Sequence, residues 1–179
     1  DLINLTEDIY LAIACDSCGG IGEKERDVVK VPPYIVGRLT SRVALMEILS
    51  VGATPKAITA GICSEPEPTG EGIITGICEE LQDLALNISL TISTEKNMPT
   101  CQTGLGLSLI GTVKEEELRI NKTKAGDKLY CVGIPKVGNE IVLGDPQIAD
   151  SLLINKLLSI PLVHDIIPVG SKGIKGEAG

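Results

Sequence analysis

Not one Phe or Trp occurs among the 179 residues, and the aromatic complement is Tyr10, Tyr34 and Tyr130. With 43% of positions hydrophobic a core is available, but it has to be assembled from Ile, Leu, Val and Ala. The length suits one medium domain, or a small domain plus part of another. The same scarcity removes the aromatic platforms on which single-stranded nucleic acids stack. A formal charge of −8 points the same way, because a phosphate backbone demands a basic footprint. An acidic chain can still take a nucleotide when a metal ion sits between its carboxylates and the phosphates. No apolar run is long enough for a membrane span, and the opening "DLINLTEDIY" lacks the basic-then-apolar pattern of a signal peptide. Cytoplasm is the expected compartment, with the six cysteines reduced. The chain has no initiator Met and closes on "GIKGEAG" as though unfinished, so a fragment, or a chain with disordered segments left out, is the expectation.

Along the chain, "IYLAIAC" (9–15) reads as a buried strand that stops at Asp16 and runs into glycines. "DVVKV" (27–31) suits a second short strand before Pro32 and Pro33. Ile35, Val36, Leu39, Val43, Met46, Ile48 and Leu49 then recur at helical spacing as far as Gly52, with proline at the start and glycine at the end as helix polarity prefers. "KAITAGIC" (56–63) is an expected strand. A second helix is expected over "TGEGIITGICEELQDLAL", with Thr69 as N-cap and Ile73, Ile74, Ile77, Cys78, Leu81 and Leu84 on one face. "NISLTIST" (87–94) and "GLGLSLIGTV" (104–113) read as strands, and "KEEELRINKTKAGD" as a linker. Beyond it, "KLYCVGI" (128–134) suggests another strand and "QIADSLLINKLLS" another helix. The expectation is an α/β (α+β) unit over residues 1–123, followed by the start of a second α+β unit over 124–179.

Chemistry concentrates in "ACDSCGGIGEK" (14–24), which admits two readings. Cys15-x-x-Cys18 has the spacing of a redox pair or half a metal site. However, Cys63, Cys78, Cys101 and Cys131 are isolated, and His164 is the only histidine, so no four-ligand zinc set is visible. Asp16 and the glycines also make a poor helix start for a thioredoxin-type motif. The glycines favour the other reading. Gly19, Gly20 and Gly22 let main-chain N–H groups approach an anion, and Lys24 adds a flexible charge that reaches a phosphate oxygen. "GGIGEK" matches neither the P-loop nor the dinucleotide fingerprint. Asp16, Asp27, Glu47 and Glu95 lie near expected strand ends or in the first helix. Mg²⁺ prefers carboxylates plus substrate phosphates, which makes these four the candidate metal ligands. A hydrolase built on Ser or Cys is not supported, since His164 stands alone as a base and nothing around it marks a nucleophile.

Five segments together resemble the superfamily of aminoimidazole ribonucleotide (AIR) synthetase, thiamine-phosphate kinase, selenophosphate synthetase and the hydrogenase-maturation ATPases. They are "ACDSCGGIGEKERD", "RVALMEILSVGATPKAI", "TISTEKNMPTCQTGLGLSLIGTV", "KAGDKLYCVGIPKVGNE" and "VHDIIPVGSKGIKGEAG". Within it, "CDSCGGIGEKERDVVKVPP", "STEKNMPTCQTG", "GIPKVGNE" and "VHDIIPVGSKGI" most resemble the AIR-synthase-related α-ribazole kinases. The chain departs from the wider pattern in three places. Glu47 stands where an Asp is usual, "ISTE" replaces "GGDT", and "PVGSKG" replaces a glycine pair.

The resemblance implies an AIR-synthase-like N-terminal domain whose strands pair with a second copy's into a barrel, hence a homodimer. It implies ATP and Mg²⁺ as cofactors and a small nucleoside-like alcohol as substrate, with no nucleic-acid or membrane partner. The expected activity is phosphorylation of the 5′-hydroxyl of α-ribazole. Asp16, Asp27, Glu47 and Glu95 would then hold the metal. Gly19, Gly20, Gly22 and Lys24 would cover the triphosphate, Lys136 and Lys172 would touch phosphate or substrate, and Lys24 and Asp165 would carry catalysis, the latter as base. The alternatives are another ATP-dependent member, thiamine-phosphate-kinase-like or selenophosphate-synthetase-like, and a non-catalytic nucleotide binder. Selenophosphate synthetases use a Cys or selenocysteine and a Lys in this region, which keeps Cys18 and Lys24 in view.

Overall fold

The computed structural model describes residues 1–178. Its framework is a five-stranded mixed sheet in the order β1-β2-β7-β5-β6. The strands are β1 (Leu2–Asn4), β2 (Ile9–Gly19), β5 (Thr54–Ile62), β6 (Ser89–Thr94) and β7 (Gly104–Lys114). A small parallel pair, β3 (Ile21–Gly22) and β4 (Val29–Lys30), opens and closes the glycine segment. β7 runs antiparallel to both β2 and β5. β5 and β6 are parallel, which requires a crossover, and helix α2 (Glu71–Asp83) supplies it.

Helix α1 (Pro33–Ser50) lies on β2, β7 and β5, and α2 packs alongside α1. The side-chain period of two divides each strand between the faces. Ala12, Ala14, Ile58, Ala60, Ile62, Leu105, Leu107 and Leu109 point to the helices, where they meet Leu45, Ile48, Ile73 and Ile77 in an aliphatic core. The opposite face carries Ile13, Cys15, Ser17, Thr59, Ser108 and Ile110, none of them fully buried. Helix contact is very close because two glycines meet it. A Cβ on Gly37 would stand 2.0 Å from the Ile73 carbonyl oxygen, and one on Gly76 would stand 1.9 Å from that of Tyr34. Around this crossing, Arg38 and Arg42 both pair with Glu80, whose side chain is buried.

Several expected elements shift. The first strand does not stop at Asp16 but continues to Gly19, because β7 goes on pairing through Cys18↔Leu105 and Gly19↔Gly104. Thr69 does not cap α2. A turn over Pro66–Gly70 leads directly into the helix, and the Thr69 hydroxyl donates instead to Glu65. "KLYCVGI" forms no strand among the described residues. The later helix is α3 (Ser151–Leu158), capped by Asp150 and packed on α1, and a short α4 (Gly173–Glu177) follows. Among the described residues no helix is long and apolar enough to cross a membrane.

Candidate functional site

The glycine segment is shaped from outside. Residues 100–103, just before β7, act as its template: Gly20 N–H donates to the Thr103 carbonyl at 2.9 Å, and Arg26 N–H to that of Cys101 at 2.9 Å. The Gln102 amide returns a 2.8 Å bond to the Arg26 carbonyl. Asp27 locks the turn, its carboxylate accepting from Thr103 N–H at 2.8 Å, the Thr103 hydroxyl at 2.7 Å and Lys24 N–H at 2.8 Å. Burial pushes the Asp27 pKa up, but these bonds outweigh it and hold the group below the ordinary carboxylate range. Gly22 is required here: at φ +153° a Cβ would meet the Thr103 hydroxyl oxygen at 2.3 Å and an Asp27 oxygen at 2.7 Å. Between this loop and the template lies a cavity of about 610 Å³, lined among others by Gly19, Gly20, Val28, Cys63, Thr100 and Cys101.

Lys24 stands behind the Thr100 side of that cavity. Its ammonium donates to the Thr100 carbonyl at 3.2 Å and forms an ion pair with Glu65. Glu65 in turn accepts from the Thr69 hydroxyl. Burial raises the Glu65 pKa, yet the Lys24 ammonium and Thr69 hydroxyl bring it down to about 2.

Asp16 and Glu47 form a second cluster. Alternation along β2 turns Asp16 toward α1, opposite Leu107, and Glu47 lies on α1. Burial raises both carboxyl pKa values, and for Glu47 the charge of Asp16 adds to the effect. Two acids that repel each other, neither in a salt bridge among the described residues, form a place where a cation is favoured. Asp16 is three residues from Gly19 on the same strand, roughly 10 Å by strand rise.

Of the remaining predicted residues, Glu95 adjoins the Lys24–Glu65 pair, its N–H donating to the Ser64 carbonyl at 2.9 Å. The Glu95 carboxylate folds back to accept from the N–H groups of Asn97 and Met98, which lower its pKa. No group of three or more His, Cys, Asp and Glu side chains converges as a metal set among the described residues. Asp165 accepts from Lys122 N–H and from the N–H and hydroxyl of Thr123. Burial opposes these bonds, but they prevail and lower its pKa. Those partners follow the far end of β7, whose 11 residues put roughly 35 Å between that end and the glycine end. Lys136 is held by Asp145 and Gln147, and Lys172 precedes α4; neither lines the glycine cavity.

The two cysteines of the motif stand on one strand at an odd separation, so their side chains point to opposite faces. Cys15 is on the open face, while Cys18 faces α1, where burial and then the charge of Asp16 raise its pKa. One ion or one disulfide cannot join them, and Cys18 is the reverse of an activated thiolate. Sequence reading missed Glu65, Thr69 and Thr103. Thr69 reads in the sequence as a helix cap, whereas its hydroxyl serves Glu65.

The family described as AIR synthase related protein, N-terminal domain, matches residues 2–113. No curated protein sequence shows significant similarity. Among solved structures, PurL of T. maritima complexed with FGAR superposes with a TM-score of 0.50 at 17% identity, covering 65% of this chain and 18% of that one. Thiamine-monophosphate kinase from Stenotrophomonas maltophilia K279a gives 0.48 at 18% identity, covering 63% and 34%. T. maritima PurL complexed with ADP gives 0.48 at 17%, covering 68% and 21%. The chain thus spans about a third or less of the length of the structures it matches.

Proposed function

Because the chain belongs to the AIR synthase-related family through its N-terminal domain, we propose that it serves an ATP- and Mg²⁺-dependent phosphotransferase acting on the alcohol of a nucleoside-like small molecule. The carrying observation is the juxtaposition at one end of β2 of a clamped glycine loop, a cavity beside it, a fixed lysine ammonium and the mutually repelling Asp16 and Glu47 carboxyls.

The donor set fits Mg²⁺, which is usually bound through one or two carboxylates plus phosphates and water. Asp16 and Glu47 would hold it, while Asp27 and Glu95 are already occupied by main-chain N–H groups. When bound, the ion supplies charge neutralisation at the β- and γ-phosphates. The chain's own share is binding and alignment. Gly19 and Gly20 bring main chain close to the phosphates without a Cβ in the way. Lys24 offers a third ammonium proton to a phosphate oxygen, and Asp27 fixes the loop that carries both. Phosphoryl transfer through a loose transition state asks chiefly for this positioning, so the proposal needs no strong base on the acceptor.

The 5′-hydroxyl of α-ribazole is the acceptor the sequence resemblance favours. The open sheet face, with Ile13 and Ile110 half-buried among small polar residues, is proposed as the surface that a second copy pairs with. Residues 124–179 are proposed as the start of a second unit. Incubation of the full-length protein with ATP, Mg²⁺ and α-ribazole, followed by mass detection, tests the assignment. A product heavier by one phosphoryl group is expected. ADP release only with a different acceptor would replace the substrate, and absence of Mg-ATP binding would remove the whole reading.

A further inference from the structure

Glu65 bridges two side chains beside the glycine loop, and nothing in the local sequence marks it. It follows β5, lies 41 residues from Lys24, and still forms that lysine's only ion pair among the described residues. Its other carboxylate oxygen is held by the Thr69 hydroxyl at the entry to α2. The contacts therefore form a chain, Thr69 to Glu65 to Lys24 to the Thr100 carbonyl, which ties three separate segments to the rim of one cavity. Lysine is long and flexible, and fixing it normally costs side-chain entropy. Here both ends are fixed before any ligand arrives, the main chain by Asp27 and the ammonium by Glu65. Two of the ammonium's three protons are committed, to Glu65 and to Thr100, leaving one for an incoming oxygen. Close by, the hydroxyls of Ser64 and Thr100 are buried without a partner among the described residues, which marks this wall as polar and incomplete.

We propose that Glu65, braced by Thr69, is the positioning residue that holds Lys24 against the Thr100 wall of the cavity for contact with a polyphosphate. This rests on the nucleotide reading above, and it makes a prediction opposite in sign to simple electrostatics. Removing a carboxylate near a triphosphate would, on charge alone, tighten binding. Loss of a pre-set lysine would weaken it.

The test compares wild type, Glu65→Gln, Lys24→Met and the double variant by calorimetric titration with Mg-ATP and with AMP, all on the full-length protein. Glu65→Gln is expected to weaken Mg-ATP by about tenfold, the loss of roughly one charge-assisted bond, and to leave AMP unchanged. The double variant should bind Mg-ATP no more weakly than Lys24→Met alone. Independently of any nucleotide, an amine-reactive reagent should label Lys24 faster in Glu65→Gln than in wild type. Tighter or unchanged Mg-ATP binding in Glu65→Gln, equal weakening of AMP, additive losses in the double variant, or unaltered labelling would each overturn the role of Glu65. Wild type that binds no Mg-ATP while Lys24 labelling still rises would instead overturn the nucleotide reading and leave the Lys24–Glu65 coupling standing.

Discussion

The sheet unit and the stretch after it are built from the same kinds of residue but differ in how those residues are used. In the first, Leu45, Ile58, Ile73 and Leu109 are fully buried, and the two helices touch through glycine. In the second, Leu129, Tyr130 and Val137 are each about three-quarters exposed (76%, 75% and 76%), and among the described residues α3 alone contributes buried positions, Ser151 and Ile154. Apolar content therefore does not make a core unless a partner surface arrives. "KLYCVGI" has the composition of a strand, but it forms no strand ladder among the described residues. Mutational sensitivity should follow this division.

The largest effect is expected at the helix crossing. Gly76→Val forces a side chain into the Tyr34 carbonyl, with a cost of about 3 kcal/mol or more, read as a drop of roughly 10 °C in melting temperature or failure to fold. Glu80→Ala follows at about 3 kcal/mol, because it strips Arg42 of its ion-pair partner and Arg38 of its buried one. Urea titration measures that loss, and one below about 1 kcal/mol would show that the network is ornamental to stability.

Acid gives a graded test of the glycine loop. Asp27 and Glu65 both have lowered folded pKa values, so their stabilisation is complete above the unfolded values of 3.8 and 4.5 and disappears as pH falls through the folded ones, to about 2 for Glu65. The urea midpoint of wild type should exceed that of an Asp27→Asn, Glu65→Gln double variant at pH 6, with the gap closing between pH 4.5 and 2. A gap independent of pH would mean that charge is not what these carboxylates contribute. The smallest effect belongs to the second region. Leu129→Ser and Val137→Ser should each change stability by less than about 0.5 kcal/mol. A larger loss would break the contrast between the two regions.

Much of this was legible in the sequence, for reasons tied to period. Strands near 56–63, 87–94 and 104–113 and both long helices followed from spacing of two or 3.6. The end of the first strand was not legible, since Asp16 and glycines look like a stop until β7 is there to extend the ladder. The Cys15–Cys18 question was open for the same reason: spacing on a loop permits chelation, while spacing on a strand forbids it. Of the proposed ligands, Asp16 and Glu47 come together because α1 returns across β2. Asp27 could be placed at the loop's end, but its partner Thr103 is 76 residues away and carries no local mark. Lys24 was visible as a charge, and Glu65 was invisible as its keeper.

That separation of 76 residues has a consequence for how the protein is made. While the chain is being synthesised, the glycine stretch emerges early but has nothing to fold against until the segment before the last strand follows it. At typical elongation speeds this leaves a delay of several seconds or more, during which the most chemically charged corner of the molecule is a floppy ribbon. Assembly there is late by design of the topology, and an early-exposed stretch rich in glycine and charge is a safe thing to leave waiting.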